Sequence, residues 1–274
     1  MNNNKSKQNL KPLSDMLSFK GKSVLITGAA AGIGKATAHR FAEAGADLIL
    51  VDINIDGLNN VKSEIANEYN TKVEIFKTDL SKKEEIDSLW TALGDAPPDV
   101  LVNNAGIYPF KDFLEIDESF LKKVIDINWT SVFWMCQHYI RLRKRKNKGG
   151  IIVNVGTIEA ILPFEKDLVH YSLSKAGVLA LTRSLAKRFG GEGFRINVIV
   201  RGGIRTEGTK NVAKGLKKLN PSLIKTGIEF KWRLPIGRFG EPDEIAKMIL
   251  VLASDLASYV LGAFIPVDGG FLSA

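Results

Sequence analysis

Ser23-Val24-Leu25-Ile26-Thr27-Gly28-Ala29-Ala30-Ala31-Gly32-Ile33-Gly34 is the stretch from which the fold can be read. Its first five residues form a short apolar run of the kind that makes a buried strand. The glycines permit a sharp turn, and a helical pattern follows through Ala44. A strand, a glycine-rich turn and a helix together point to a dinucleotide site. Glycines let the backbone approach a pyrophosphate, and the helix N-terminus offers N–H groups and the positive end of its dipole. Gly28, Ala31, Gly32, Ile33 and Gly34 are therefore candidate cofactor contacts. A tight turn packed closely on its helix would leave the same trace.

Moving outward, a second strand over 47–52 ends on Asp52, 18 residues after Gly34. An acid there can accept hydrogen bonds from both ribose hydroxyls of an adenosine half and would repel a 2′-phosphate. No Arg or Lys lies inside the glycine turn, so NAD is favoured over NADP, with Lys35 the nearby cation that could blur the preference. The other reading of Asp52 is a helix cap or strand-end turn. Helices over 55–69 and 82–93 alternate with strands over 72–76 and 100–102. Such alternation argues for an α/β fold with a parallel sheet covered on both faces. Asp79, followed by Leu80, either faces the adenine edge or caps the next helix. Asn103-Asn104-Ala105-Gly106 follows a strand end, where open sheets bind ligands, although the composition also suits a plain turn.

In the second half a long helix is expected over 118–141, with Asn128 near its middle; by itself that asparagine reads as exposed. A buried-type strand over 151–155 leads to Gly156-Thr157, whose hydroxyl aims where substrate would lie. Tyr171 and Lys175 follow, four residues apart on a helix over 171–189 and so on one face. A phenol with an unperturbed pKa of about 10 is a poor base at neutral pH. A nearby ammonium favours the phenolate, giving a group that takes a proton from an alcohol or returns one to a carbonyl. A strand over 195–200 comes next, and the irregular, lysine-rich residues 201–232 read as a substrate lid. Glu241-Pro242-Asp243-Glu244 opens a helix, and a last strand over 264–267 precedes Asp268-Gly269-Gly270.

The 274 residues are 45% hydrophobic, enough for a substantial core, and no apolar run is long enough to span a bilayer. Residues 1–20 are polar and basic, without a secretory signal's apolar centre, and read as a flexible arm. Cys136 is the single cysteine, which excludes an internal disulfide and a multi-cysteine metal site and fits a cytoplasmic setting. The net charge of +8 gathers at the N-terminus, over 141–148 and between Lys210 and Lys231. No nucleic-acid recognition motif accompanies it, and Arg141 to Lys148 reads as the solvated, cationic close of a helix.

Together, Thr27-Gly28-x-x-x-Gly32-Ile33-Gly34, Asn103-Asn104-Ala105-Gly106, Asn128, Tyr171-x-x-Ser174-Lys175 and Val267-Asp268-Gly269-Gly270 resemble the short-chain dehydrogenase/reductase family, over nearly the whole chain. The resemblance implies one Rossmann-type, doubly wound domain with a seven-stranded parallel sheet, often as a homotetramer. It implies hydride transfer between a substrate carbon and nicotinamide. Tyr171 would be the acid/base, and Lys175 would favour the phenolate and hold the nicotinamide ribose. Asn128 would anchor a water that relays protons. Thr157 stands where the family usually has serine and keeps the hydroxyl. The loop from Thr157 to Tyr171 is one residue longer than usual. Arg201-Gly202 replaces the usual Pro-Gly, and the arginine could meet a cofactor phosphate, an anionic substrate or solvent. Gly202, Ile204 and Thr206 would border the nicotinamide. Glu159, Pro163 and Val169-His170-Tyr171 resemble bacterial glucose dehydrogenases, and Ile107-Tyr108-Pro109 occurs in sugar and polyol enzymes, so Glu159 becomes a candidate substrate contact. His170, next to the candidate base but turned about 100° from it, reads as packing. The expected activity is an NAD-dependent sugar or polyol dehydrogenase. The alternatives are a 3-oxoacyl reductase and a cofactor-binding homologue without catalysis.

Overall fold

The computed structural model describes residues 10–206, 229–230 and 232–274. Residues 1–9 of the expected arm, and 207–228 and 231 of the expected lid, lie outside the described residues. The later part of the expected arm packs on the domain. Leu13–Met16 forms one helical turn (α1), and Phe19 is fully buried, edge-on to Phe41.

Seven parallel strands form the sheet: β1 Ser23–Thr27, β2 Asp47–Asp52, β3 Val73–Lys77, β4 Val100–Asn103, β5 Gly150–Thr157, β6 Phe194–Arg201 and β7 Phe264–Val267, in the order β3-β2-β1-β4-β5-β6-β7. The direction of winding reverses between β1 and β4, and the crevice beyond the strand ends there is where such sheets take ligands. Successive residues of a strand face opposite sides. Val24, Ile26, Leu48, Leu50 and Val102 accordingly enter one core, and Leu25, Ile49, Val51, Leu101 and Ile152 the other. Burial of each such side chain contributes about 1.5–3 kcal/mol. That is why these strands read as unbroken apolar runs rather than alternating ones.

Helices α2 Gly32–Glu43, α3 Ile55–Glu68, α4 Lys83–Leu93, α5 Glu118–Ile125, α6 Ser131–Arg145, α7 Val169–Phe189 and α8 Pro242–Ala253 cover the sheet. The long helix expected over 118–141 is interrupted. Between α5 and α6, residues 126–130 form a π turn, and Asn128 at its centre is fully buried rather than exposed. The basic close of α6 also departs from a purely solvated face. Arg143 is buried and donates to the carbonyls of Pro98 and Gly149 and to Asp99, clasping α6 to the β4 and β5 starts. No helix among the described residues is long and apolar enough to cross a membrane.

Candidate active site

The glycine turn is held open by its neighbours. Gly28 and Gly32 adopt φ of +66° and +56°, where a side chain is strained. A Cβ on Gly28 would lie 2.8 Å from Ala105 Cα, and one on Gly34 would lie 2.0 Å from the Gly28 carbonyl oxygen. Gly34 therefore serves helix-to-strand packing, while Gly28 and Gly32 leave backbone facing the crevice. Asn104 locks the turn: its amide donates to the carbonyls of Thr27 and Gly28 at 3.0 and 3.1 Å. The N-cap of α2, Ala31, supplies no side-chain acceptor, and no acid stands in the first helical turn. The free N–H groups there suit an anionic group.

These residues open on a cleft of about 260 Å³ lined by Gly28, Ala31, Gly32, Ile33, Asp52, Asn104, Ala105, Gly106, Tyr171, Lys175, Ile204 and Thr206, all candidates from the sequence. Asp52 takes N–H donors from Ala30 and Asn54 at 3.0 and 2.9 Å, one on each oxygen, so it forms the strand-end turn while bordering the cleft. Lys35 is engaged with Glu64 at 2.7 Å. Asp79 and Leu80 do not line the cleft. The Asp79 carboxylate accepts from the Ser81 backbone and hydroxyl, a turn ahead of α4 rather than its cap, since Lys82 holds the N-cap position. The backbone cradle, the helix N-terminus and the terminal acid fit a dinucleotide.

A second cavity, of about 520 Å³, adjoins the first and shares Tyr108, Tyr171, Arg201 and Ile204 with it. Thr157, Glu159 and Gly202 line this cavity and not the cleft. Sequence reasoning assigned no role to Phe110, Glu165 or Phe239, which also line it, and placed Phe230 only within the expected lid. Glu165 was the most findable, as a second acid in the loop that carries Glu159. The aromatic residues come from distant segments and left no local signal.

Tyr171 is buried at the junction, on the first turn of α7. His170 fixes its surroundings: Nε2 donates to the Pro109 carbonyl at 2.7 Å and the ring meets Phe120 edge-on. Tyr108 is thereby carried over Tyr171, ring centroids 6.2 Å apart. Asn128 accepts from Ile107 N–H and donates to its carbonyl, both at 2.8 Å, and donates to Ser174 Oγ at 3.1 Å. The π turn thus presents an amide that ties the 107–110 loop to α7, in line with the frequency of such turns at functional sites.

Lys175 is buried, donates to the Val155 carbonyl at 3.0 Å, and is pushed by burial, with a smaller contribution from Arg201, to about 7. The cation that touches the Tyr171 hydroxyl is Arg201, whose Nη2 donates at 3.1 Å. Strands β5 and β6 run two residues and one residue further than expected, to Thr157 and Arg201, which are register partners (the expected ends being 155 and 200). Paired residues on adjacent strands face the same side. Burial raises the Glu159 carboxyl, whose Oε2 accepts from Phe164 N–H. Burial and the neighbouring acids Glu159 and Asp167 push Glu165 up to about 7.

Comparison with known proteins agrees with this arrangement. A family described as enoyl-(acyl carrier protein) reductase matches residues 28–272. The chain is 33% identical to a 3-oxoacyl-(acyl-carrier-protein) reductase of Aquifex aeolicus, over 93% of this chain and 98% of that protein. It is 35% identical to an L-rhamnose 1-dehydrogenase (NAD(P)(+)) of Azotobacter vinelandii, over 91% of this chain and 96% of that protein. The solved L-sorbose reductase of Gluconobacter frateurii, complexed with NADPH and L-sorbose, superposes with a TM-score of 0.85 at 26% identity, covering 94% of this chain and 99% of that one. With the fold and the full set of motifs in place, the chain belongs to the short-chain dehydrogenase/reductase family.

Proposed function

We propose that this oxidoreductase transfers hydride between a secondary alcohol, a sugar or polyol by preference, and NAD. The carrying observation is that the Tyr171 hydroxyl stands where the glycine cleft meets the second cavity. When bound, the nicotinamide cofactor supplies the hydride acceptor. Gly28, Gly32 and the α2 N-terminus hold its phosphates, and Asp52 holds a ribose. Lys175, beside Gly106 at the cleft floor, holds the second ribose. Thr157 orients the substrate hydroxyl, and Tyr171 removes its proton as the hydride leaves. Asn128 holds the 107–110 loop and α7 in register for that transfer.

The preference for NAD rests on Asp52 and on Lys35 being occupied by Glu64. The two relatives named with NAD(P) or NADPH make this the point to test. The polyol preference rests on Glu159 and Glu165, two acceptors in one cavity. A second reading, reduction of a 3-oxoacyl group, is favoured by Phe110, Phe230 and Phe239 in the same wall. Assembly as a homotetramer is expected through the exposed apolar residues Trp129, Val169 and Leu173, on the π turn and α7.

Initial rates with NAD and NADP across sugars, polyols and simple secondary alcohols, with acetoacetyl thioester and NADPH in reverse, test the reading. Turnover of a sugar or polyol with NAD is expected. Turnover confined to the thioester with NADPH would replace it with the second reading.

A further inference from the structure

Glu159 and Glu165 both line the second cavity, but the loop that carries them uses them differently. Glu159 lies on the short 3-10 turn Ile158–Ala160 just after β5, and it is buried. Its own N–H donates to the Thr157 hydroxyl at 3.4 Å. Its carboxylate turns back onto the chain, accepting from the Phe164 N–H at 3.0 Å and from the Glu165 N–H. A buried carboxylate is costly unless donors meet it, and here the donors are main chain of its own loop. The loop conformation that aims these two N–H groups inward is therefore the one that satisfies Glu159. The Ile158 carbonyl closes the inner turn, accepting from Ile161 and Leu162 at 2.9 and 2.8 Å, and both of those side chains are exposed. Beyond the closure, Phe164 meets Phe230 and Phe271 edge-on, with ring centroids 5.4 and 5.7 Å apart, and Arg233 lies over Phe164 and Phe271.

Glu165 follows directly and is half-buried on the cavity wall. The charges that act on it are the acids Glu159 and Asp167. A carboxyl crowded in this way gains from any hydrogen-bond donor that a ligand brings. We propose that Glu159 is a positioning residue that folds the 159–165 loop through its main chain, and that Glu165 is the specificity-determining acceptor which this fold delivers to the substrate. Thr157 and Tyr171 serve the reacting hydroxyl, so the hydroxyls that Glu165 accepts from are those on carbons beyond it. The ligand class is then an alcohol with further hydroxyls along its chain or ring. Glu159 acts on that ligand through Glu165 rather than by touching it.

This inference rests on the sugar or polyol reading, so its first test needs no turnover. Amide hydrogen exchange is followed by mass spectrometry in peptides covering 159–168, without cofactor or substrate. Loss of the Glu159 acceptor in Glu159→Ala should speed exchange there about tenfold, whereas Glu159→Gln, which keeps an acceptor, and Glu165→Ala should stay within about threefold of the parent. Unchanged exchange in Glu159→Ala, with α2 peptides protected as in the parent, would overturn the positioning role. The second test is a double-mutant cycle in KM with the best of glucose, sorbitol and galactitol. Glu159→Ala and Glu165→Ala should each raise KM about tenfold with a smaller change in kcat, and the double variant should also stand at about tenfold, because the two act in series. Glu159→Gln should recover most of the affinity. A double variant near about a hundredfold would overturn the proposal, since independent effects would make Glu159 a substrate contact in its own right. A chain that oxidises none of the three probes would refute the polyol reading and the assignment of Glu165 with it, and the exchange result would decide the role of Glu159 alone.

Discussion

The glycine cleft and the aromatic cavity meet at Tyr171 but are built by different means. The cleft is largely main chain: two glycines at positive φ, an open helix N-terminus, and an asparagine that ties two strand ends together. The cavity is mostly side chain, with an acid pair, two arginines and aromatics that include Tyr108, Phe110, Phe230 and Phe239. A site made of backbone is set by the fold. A site made of side chains can change with single substitutions at strand ends, as Thr157 and Arg201 have.

Lys175 lines the cleft beside Tyr171, and its loss should cost most after that of Tyr171 itself. Lys175→Ala is expected to lower kcat by about 10²-fold or more and to weaken cofactor binding together, since proton-transfer groups contribute about 10²–10⁴-fold. Steady-state kinetics with a fluorescence titration of the cofactor would check both. Gly34→Ala tests the cleft as a packed backbone. The added methyl meets the Gly28 carbonyl, and overpacking of this kind costs about 1–3 kcal/mol. Urea denaturation should register that loss, and cofactor affinity should fall with it. Asp52→Asn keeps one acceptor and removes the charge. The ratio of kcat/KM for NAD to that for NADP should drop about tenfold, the value of one hydrogen bond to a charged group.

The smallest effect belongs to the cavity. Glu165, pushed up to about 7, keeps in the folded chain a proton that the unfolded chain releases at the ordinary carboxylate range. The unfolded state then binds fewer protons, so stability falls as pH rises from there toward 7. Glu165→Gln should remove that part of the slope, on the order of 1 kcal/mol after allowance for screening. Thermal melts of both proteins between acid and neutral pH would compare the two curves.

The contrast also explains what could be read from the chain. The alternation of strands and helices, the glycine turn, Asp52 and the Tyr171–Lys175 spacing are local in sequence, and the strand over 23–27 and the helix after it were legible directly. Asn128 was misjudged as exposed on residue type alone, because a π turn leaves no propensity signature. The family resemblance gave it a role at the site, and the structure shows it bonded to Ile107 and Ser174. The contact from Arg201 to Tyr171 depends on the register of β5 against β6 and on one further residue of strand, neither of which periodicity specifies. The lining by Phe110, Phe230 and Phe239 is a product of tertiary packing alone.

Tyr171→Phe removes one oxygen at the place where the two regions join. Its kcat with NAD and the best sugar or polyol, measured beside its affinity for NAD, is the most direct test of the account. A loss of about 10³-fold or more with NAD affinity unchanged is predicted, since the cradle is untouched and the proton acceptor is gone. Retained turnover with Phe at this position would contradict it and move the proton to another group.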